Sequence, residues 1–165
     1  MSKRPQKIDP ETAAGIQHAE LEDNVFFLCT QVVSRRNRAI QKTLRPIGLM
    51  PTEFRVLSAV LRKGDLTMLE LAQWTSYERT RLTHILHGME DRGWIVRTSA
   101  ESDRRTVVVQ ATPSGAAIFR KAKPMVDELT DVIASGNTEN EIEEMRRALR
   151  VMRAKLIEMD EQMRD

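Results

Sequence analysis

TMLELAQWTSYERTRLTHILHGMEDRGWIVRTSAESDRRTVVVQATPSG, residues 67–115 of this 165-residue chain, is the stretch that decides the fold. Thr67-x-x-Glu70 has the capping-box pattern, in which a hydroxyl and a carboxylate satisfy backbone amides at a helix start. It predicts a short helix with Leu69, Leu71 and Ala72 turned inward. Thr75-x-x-Glu78 repeats the pattern and predicts a second helix, ended by Gly93 in the left-handed conformation that glycine adopts cheaply. Residues 94–98 and 106–111 then alternate as two short strands, joined by a polar loop containing Glu101-Ser-Asp103-Arg104-Arg105. A purely structural two-residue hairpin turn would favour Asn-Gly or Asp-Gly, so an arginine-rich tip asks for another explanation.

Working outward, residues 19–44 read as one long helix stopped by Pro46 and Gly48. Pro51-Thr52-Glu53 opens the next, with Thr52 as its cap, an apolar face of Phe54, Leu57, Val60 and Leu61, and Gly64 as its stop. On the other side, Thr112-Pro113 starts a helix with proline at the tolerated first position, and Pro124 predicts a kink or a restart. Thr138-x-x-Glu141 caps a last helix. Its Ile142, Met145, Leu149, Met152, Leu156, Met159 and Met163 recur at alternating spacings of three and four, an apolar seam suited to a second helix. The methionines make the seam adaptable rather than strongly specifying. The fold class expected is mainly α with a small β-hairpin wing, a winged helix-turn-helix with a helical dimerisation region drawn from both termini. The expected organisation is a flexible arm over residues 1–18, a dimerisation helix over 19–50, the winged lobe over 51–115 and C-terminal dimerisation helices over 116–165.

Composition narrows the function classes. Apolar residues make up 41% of the chain but aromatics only 4%, so Leu, Met, Ala and Val must fill the core. The single cysteine, Cys29, excludes an internal disulfide and suits a reducing, cytoplasmic setting. No apolar run is long enough to span a bilayer, so no membrane partner is expected. Net charge is only +2, but its distribution is uneven. Residues 35–63 carry eight basic side chains against one acidic, whereas residues 121–165 carry eight against eleven. His18, Cys29, His84 and His87 form no nucleophile elbow, phosphate loop or metal quartet. Neither an enzyme nor a cofactor nor a metal site is expected, and the His84/His87 pair lacks the further ligands a metal needs.

The second helix of the opening stretch carries the chemistry. Leu82, Ile85, Leu86 and Met89 share one side of a 3.6-residue wheel, while Thr80, Arg81, Thr83, His84 and His87 fall on the other. Short polar and basic side chains facing away from a core are what base edges and phosphates accept. An arginine-tipped hairpin gains from the negative potential of a narrow minor groove, and Asp103 can orient Arg105 through a bidentate pair. Double-stranded DNA is therefore the expected partner. Thr80, Arg81, Thr83 and His84 are the candidates for base edges and Arg79 for phosphate, with Arg104 and Arg105 at the wing.

These pieces resemble the MarR-type winged helix-turn-helix regulators. The resemblance runs from about residue 21 to 119 and is strongest in Glu70-Leu-Ala72, Leu82-Thr83, Met89-Glu90, Arg92-Gly93, Ile95-Val-x-Arg97, Asp103-Arg-Arg105 and Thr112-Pro-x-Gly115. One departure stands out: Thr83-His84 occupies the middle of the reading helix where the family often has Thr-Arg, and Arg81 lies close enough to supply the contact. The resemblance implies a homodimer with interlocked terminal helices whose lobes read a pseudo-palindromic operator. It also implies a repressor released by a small aromatic or phenolic effector. Arg35, Arg36 and Arg38 follow the apolar stretch of the first helix and are the candidates for an anionic effector group. Two alternatives remain open: a thiol-based redox-sensing regulator acting through Cys29, and a non-specific architectural DNA-binding protein. Cys29 lies among Val25, Phe26, Phe27, Leu28, Val32 and Val33, a setting that suits a buried, inert thiol.

Overall fold

The computed structural model describes residues 19–99 and 106–163. The chain forms two compact units that meet in sequence between Pro51 and Thr52.

In the first unit, helix α1 (Ala19–Glu22) is followed by helix α2 (Val25–Leu44). The sequence predicts one continuous helix here, and Asn24 is why there are two. Its side-chain oxygen accepts the amides of Phe26 at 2.9 Å and Phe27 at 3.1 Å, capping α2 in an extended conformation that interrupts the preceding turn. A 3₁₀ turn (Arg45–Ile47) containing Pro46 ends at Gly48, whose φ of 68° is the left-handed stop that sequence anticipates. Ile40, Leu44 and Leu49 are buried. Val25, Phe26, Leu28, Val32 and Val33 instead present an apolar face to solvent, and Cys29 among them is half-buried in the single chain.

Helix α3 (Pro51–Lys63) opens the second unit. It starts at Pro51, so Thr52 lies inside the first turn and is not the cap. Val56, Leu57 and Val60 are buried, and Phe54 stacks on Phe119 with ring centroids 5.2 Å apart. Leu61 is exposed, and Glu53 takes a buried place that sequence assigned to no polar residue. Strand β1 (Leu66–Thr67) leads into helix α4 (Met68–Thr75), where the Thr67/Glu70 capping box is present in both directions. Leu71 is buried as expected and Ala72 half-buried, but Leu69 points outward. Helix α5 (Arg79–Asp91) follows after Ser76, the one non-glycine at positive φ among the described residues.

The second predicted capping box is not there. Thr75 is buried at the end of α4 and donates its hydroxyl to the Leu71 carbonyl at 2.6 Å. Glu78 caps α5 without a side-chain hydrogen bond. The motif matched in spacing, but burial drew the hydroxyl back into its own helix.

Strands β2 (Ile95–Ser99) and β3 (Val107–Ala111) pair antiparallel, with Ile95 opposite Ala111 and Ser99 opposite Val107. Strand β1 adds to the other edge of β3, so the sheet order is β1-β3-β2. Helix α6 (Pro113–Ala134) is capped by Thr112 and runs through Pro124 without restarting. Helix α7 (Glu139–Gln162) begins at the Thr138/Glu141 capping box that sequence predicts. Leu71, Leu82, Leu86, Met89, Ile95 and Val109 are buried side chains of this unit. Each contributes on the order of 1.5–3 kcal/mol through removal from water.

Candidate nucleic-acid interface

Helix α5 divides cleanly into two faces. Leu82, Leu86 and Met89 are fully buried and Ile85 half-buried, which fixes the helix against its own unit. Arg79, Thr80, Arg81, Thr83, His84 and His87 are exposed. Among the described residues, neither Arg79 nor Arg81 pairs with a carboxylate; the interaction of Arg81 is with an aromatic ring. The Thr83 hydroxyl donates to the Arg79 carbonyl at 2.9 Å on this exposed face. His87 Nδ1 lies 3.7 Å from Asp91, an exposed pair that is ionic only when the imidazole is protonated.

The first turn of α5 contains no acidic residue, and its cap makes no side-chain bond. The amides at that end therefore keep their capacity to donate, and the helix dipole adds partial positive charge to that of the arginines. Such an end suits an anion.

Three contacts hold α5 against the rest of the lobe. Arg92, just past its C-terminus, pairs with buried Glu53 of α3, donates from Nε to the Gly88 carbonyl at 3.1 Å and lies 4.0 Å above the Trp94 ring. Glu90 pairs with Arg97 of β2, accepting its backbone amide at 3.2 Å and its Nε at 2.9 Å. The Arg97 hydrogen bond holds the Glu90 carboxyl below the usual glutamate range, and the same contact raises the arginine. Thr112 closes the third link by donating its hydroxyl to the Gly93 carbonyl at 2.6 Å and its amide to Trp94 at 3.1 Å. Helix α5 and the base of the β2–β3 hairpin thus share a fixed relation through polar bonds as well as apolar packing.

Of the remaining predicted site residues, Asp103, Arg104 and Arg105 lie outside the described residues. Arg35 and Arg38 are exposed on α2 and Arg36 is half-buried there. Two side chains beside α5 that the sequence reading did not single out are Tyr77 and Arg55. The guanidinium groups of Arg55 and Arg81 lie 5.2 Å and 4.9 Å from the centroid of the Tyr77 ring. Tyr77 and Arg81 are four residues apart, a spacing that brings side chains together at a helix start, and that was the available signal.

A pair of short helices, preceded by one strand and followed by two of the same three-stranded antiparallel sheet, defines a winged helix-turn-helix domain. Residues 47–106 match the family model described as "MarR family", and that segment is a MarR-family domain. The multiple antibiotic resistance protein MarR of Salmonella typhimurium is 34% identical over 91 residues, which span 55% of this chain and 63% of that relative. Among solved structures, an Escherichia coli MarR mutant complexed with operator DNA superposes with a TM-score of 0.69 at 25% identity, over 76% of this chain and 90% of that one. CouR from Rhodococcus jostii RHA1, bound to p-coumaroyl-CoA, gives 0.73 at 26% identity, over 80% and 93%.

Proposed function

We propose that this protein is a ligand-responsive, DNA-binding transcriptional regulator and not an enzyme. It acts as a homodimer that represses from a pseudo-palindromic operator and is released by a small aromatic or phenolic effector. The observation that carries this reading is the outer face of α5, where Arg79, Thr80, Arg81, Thr83 and His84 stand exposed on a helix whose opposite face is locked into the core. Thr80, Arg81, Thr83 and His84 meet base edges in the major groove. Arg79, beside the open amides of the helix start, meets phosphate. Arg104 and Arg105 take the flanking minor groove with Asp103 orienting Arg105, a role argued from sequence.

Two apolar surfaces support self-association: the exposed Val25, Phe26, Leu28, Val32 and Val33 face of α2, and Met145, Leu149, Leu156, Met159 and Met163 along α7. Surfaces of this kind, uncovered in one chain, mark association sites. They support assigning residues 19–50 and 116–165 to dimerisation, and the exposed face of α5 supports assigning 51–115 to DNA; the arm expected over residues 1–18 lies outside the described residues. Arg35, Arg36 and Arg38 are assigned to an anionic group of the effector, in keeping with the CoA ester held by the similar CouR. No described helix is long and apolar enough to cross a membrane, and the cytoplasm is the setting that such a regulator requires.

Selection of binding sites from random duplex DNA tests the reading. The expected result is enrichment of two-fold symmetric sites with half-sites about one helical turn apart, roughly 34 Å. Binding that stays indifferent to sequence and falls only with salt would replace it with an architectural role.

A further inference from the structure

Tyr77 is the only tyrosine of the chain and lies half-buried just ahead of α5. The left-handed turn at Ser76 (φ 55°) precedes it. Arg55 of α3 reaches the ring and also donates from Nη1 to the Thr75 carbonyl at 3.3 Å, which ties the ring's surroundings to the helix before it. Arg81, on the first turn of α5, lies 4.9 Å from the ring centroid and is itself exposed to solvent. The electron-rich face of a tyrosine attracts a guanidinium, and an arginine so held has fewer rotamers to give up when it meets a partner. A bidentate contact to a guanine edge depends on the plane of the guanidinium as well as on its charge.

We infer that Tyr77 is a positioning residue for Arg81: its ring sets the guanidinium before DNA arrives, so that Arg81 discriminates a base pair instead of merely adding charge. The inference rests on the DNA-reading role of α5 and adds to it a specificity-determining residue that touches no base.

The test compares full-length wild type, Arg81→Ala, Tyr77→Phe, Tyr77→Leu and the Tyr77→Leu/Arg81→Ala double variant, on the selected operator and on its single-base-pair variants. Arg81→Ala should cost roughly tenfold in discrimination at one position of each half-site. Tyr77→Leu should lose about two- to fivefold at that same position, whereas Tyr77→Phe, which keeps a ring, should lose nothing. In the double variant the two losses should be less than additive. A second reading needs no DNA: the Arg81 Nε–Hε resonance should be displaced by the ring in wild type and Tyr77→Phe, and should relax to its free position in Tyr77→Leu.

A Tyr77→Leu loss spread uniformly over all sequences, additive losses, or an undisplaced Arg81 resonance in wild type would each overturn the inference while leaving the DNA-reading role intact. An absence of any base preference in wild type would overturn both. Should Tyr77→Leu fail to fold, the resonance in wild type and Tyr77→Phe still decides.

Discussion

Single residues show how narrowly this lobe is drawn. A Cβ built on Gly115 would lie 2.0 Å from the Trp94 carbonyl oxygen, and the obstacle is backbone, which cannot step aside. Gly115 is also the residue whose amide the Thr112 hydroxyl caps, so the start of α6 and the wing base meet here without side chains. Gly115→Ala should destabilise the protein by about 1–3 kcal/mol, read as a lowered thermal midpoint, because the helix must lift from the sheet. An unchanged midpoint would show that the close approach is not maintained in solution. The Thr112-Pro-x-Gly115 pattern was visible in the sequence, but its steric reason was not, since Trp94 is distant in the chain. Glu53 was unreadable for a related reason: a carboxylate among apolar neighbours looks exposed until Arg92, 39 residues away, is seen beside it.

At the scale of elements, local signals were legible and long-range pairing was not. The Thr67/Glu70 and Thr138/Glu141 boxes, the stop at Gly93 and the cap at Thr112 all formed as their spacing predicted. Strand β1, of two residues, has no periodicity to read and exists only because β3 offers it an edge. Thr75 matched a cap in sequence and was taken by the interior instead. The Glu90–Arg97 pair joins α5 to β2 and makes a pH prediction. The folded Glu90 titrates below its ordinary value of 4.5, so its stabilising contribution is present above that value and fades as pH falls through the lowered one. The stability difference between wild type and Glu90→Gln, followed by chemical denaturation, should therefore hold from about pH 6 down to the ordinary value of 4.5 and shrink as pH falls further. A difference that stays constant below that value would remove the ionic link from the account.

For the whole molecule, the question is what covers the apolar surface that one chain leaves bare. Leu149 and Leu156 on α7 are 44% and 52% exposed, values that matter because both fall on a seam spaced for a second helix. Replacing both with glutamate should convert a dimer into a monomer by light scattering, with α5 still folded. Operator affinity should fall far more than the stability of the lobe, because two half-sites bound by one particle gain from effective concentration. A wild-type protein that is monomeric at micromolar concentration would assign the seam to some other partner.

The central claim is that α5 reads sequence, and one comparison tests it most directly. Binding is measured at fixed salt to a selected two-fold site, to the same site with one half scrambled, and to a fully scrambled duplex of equal length. The account predicts successive losses of at least about tenfold, since each half-site contributes its own base contacts. Equal affinity for all three duplexes would contradict it.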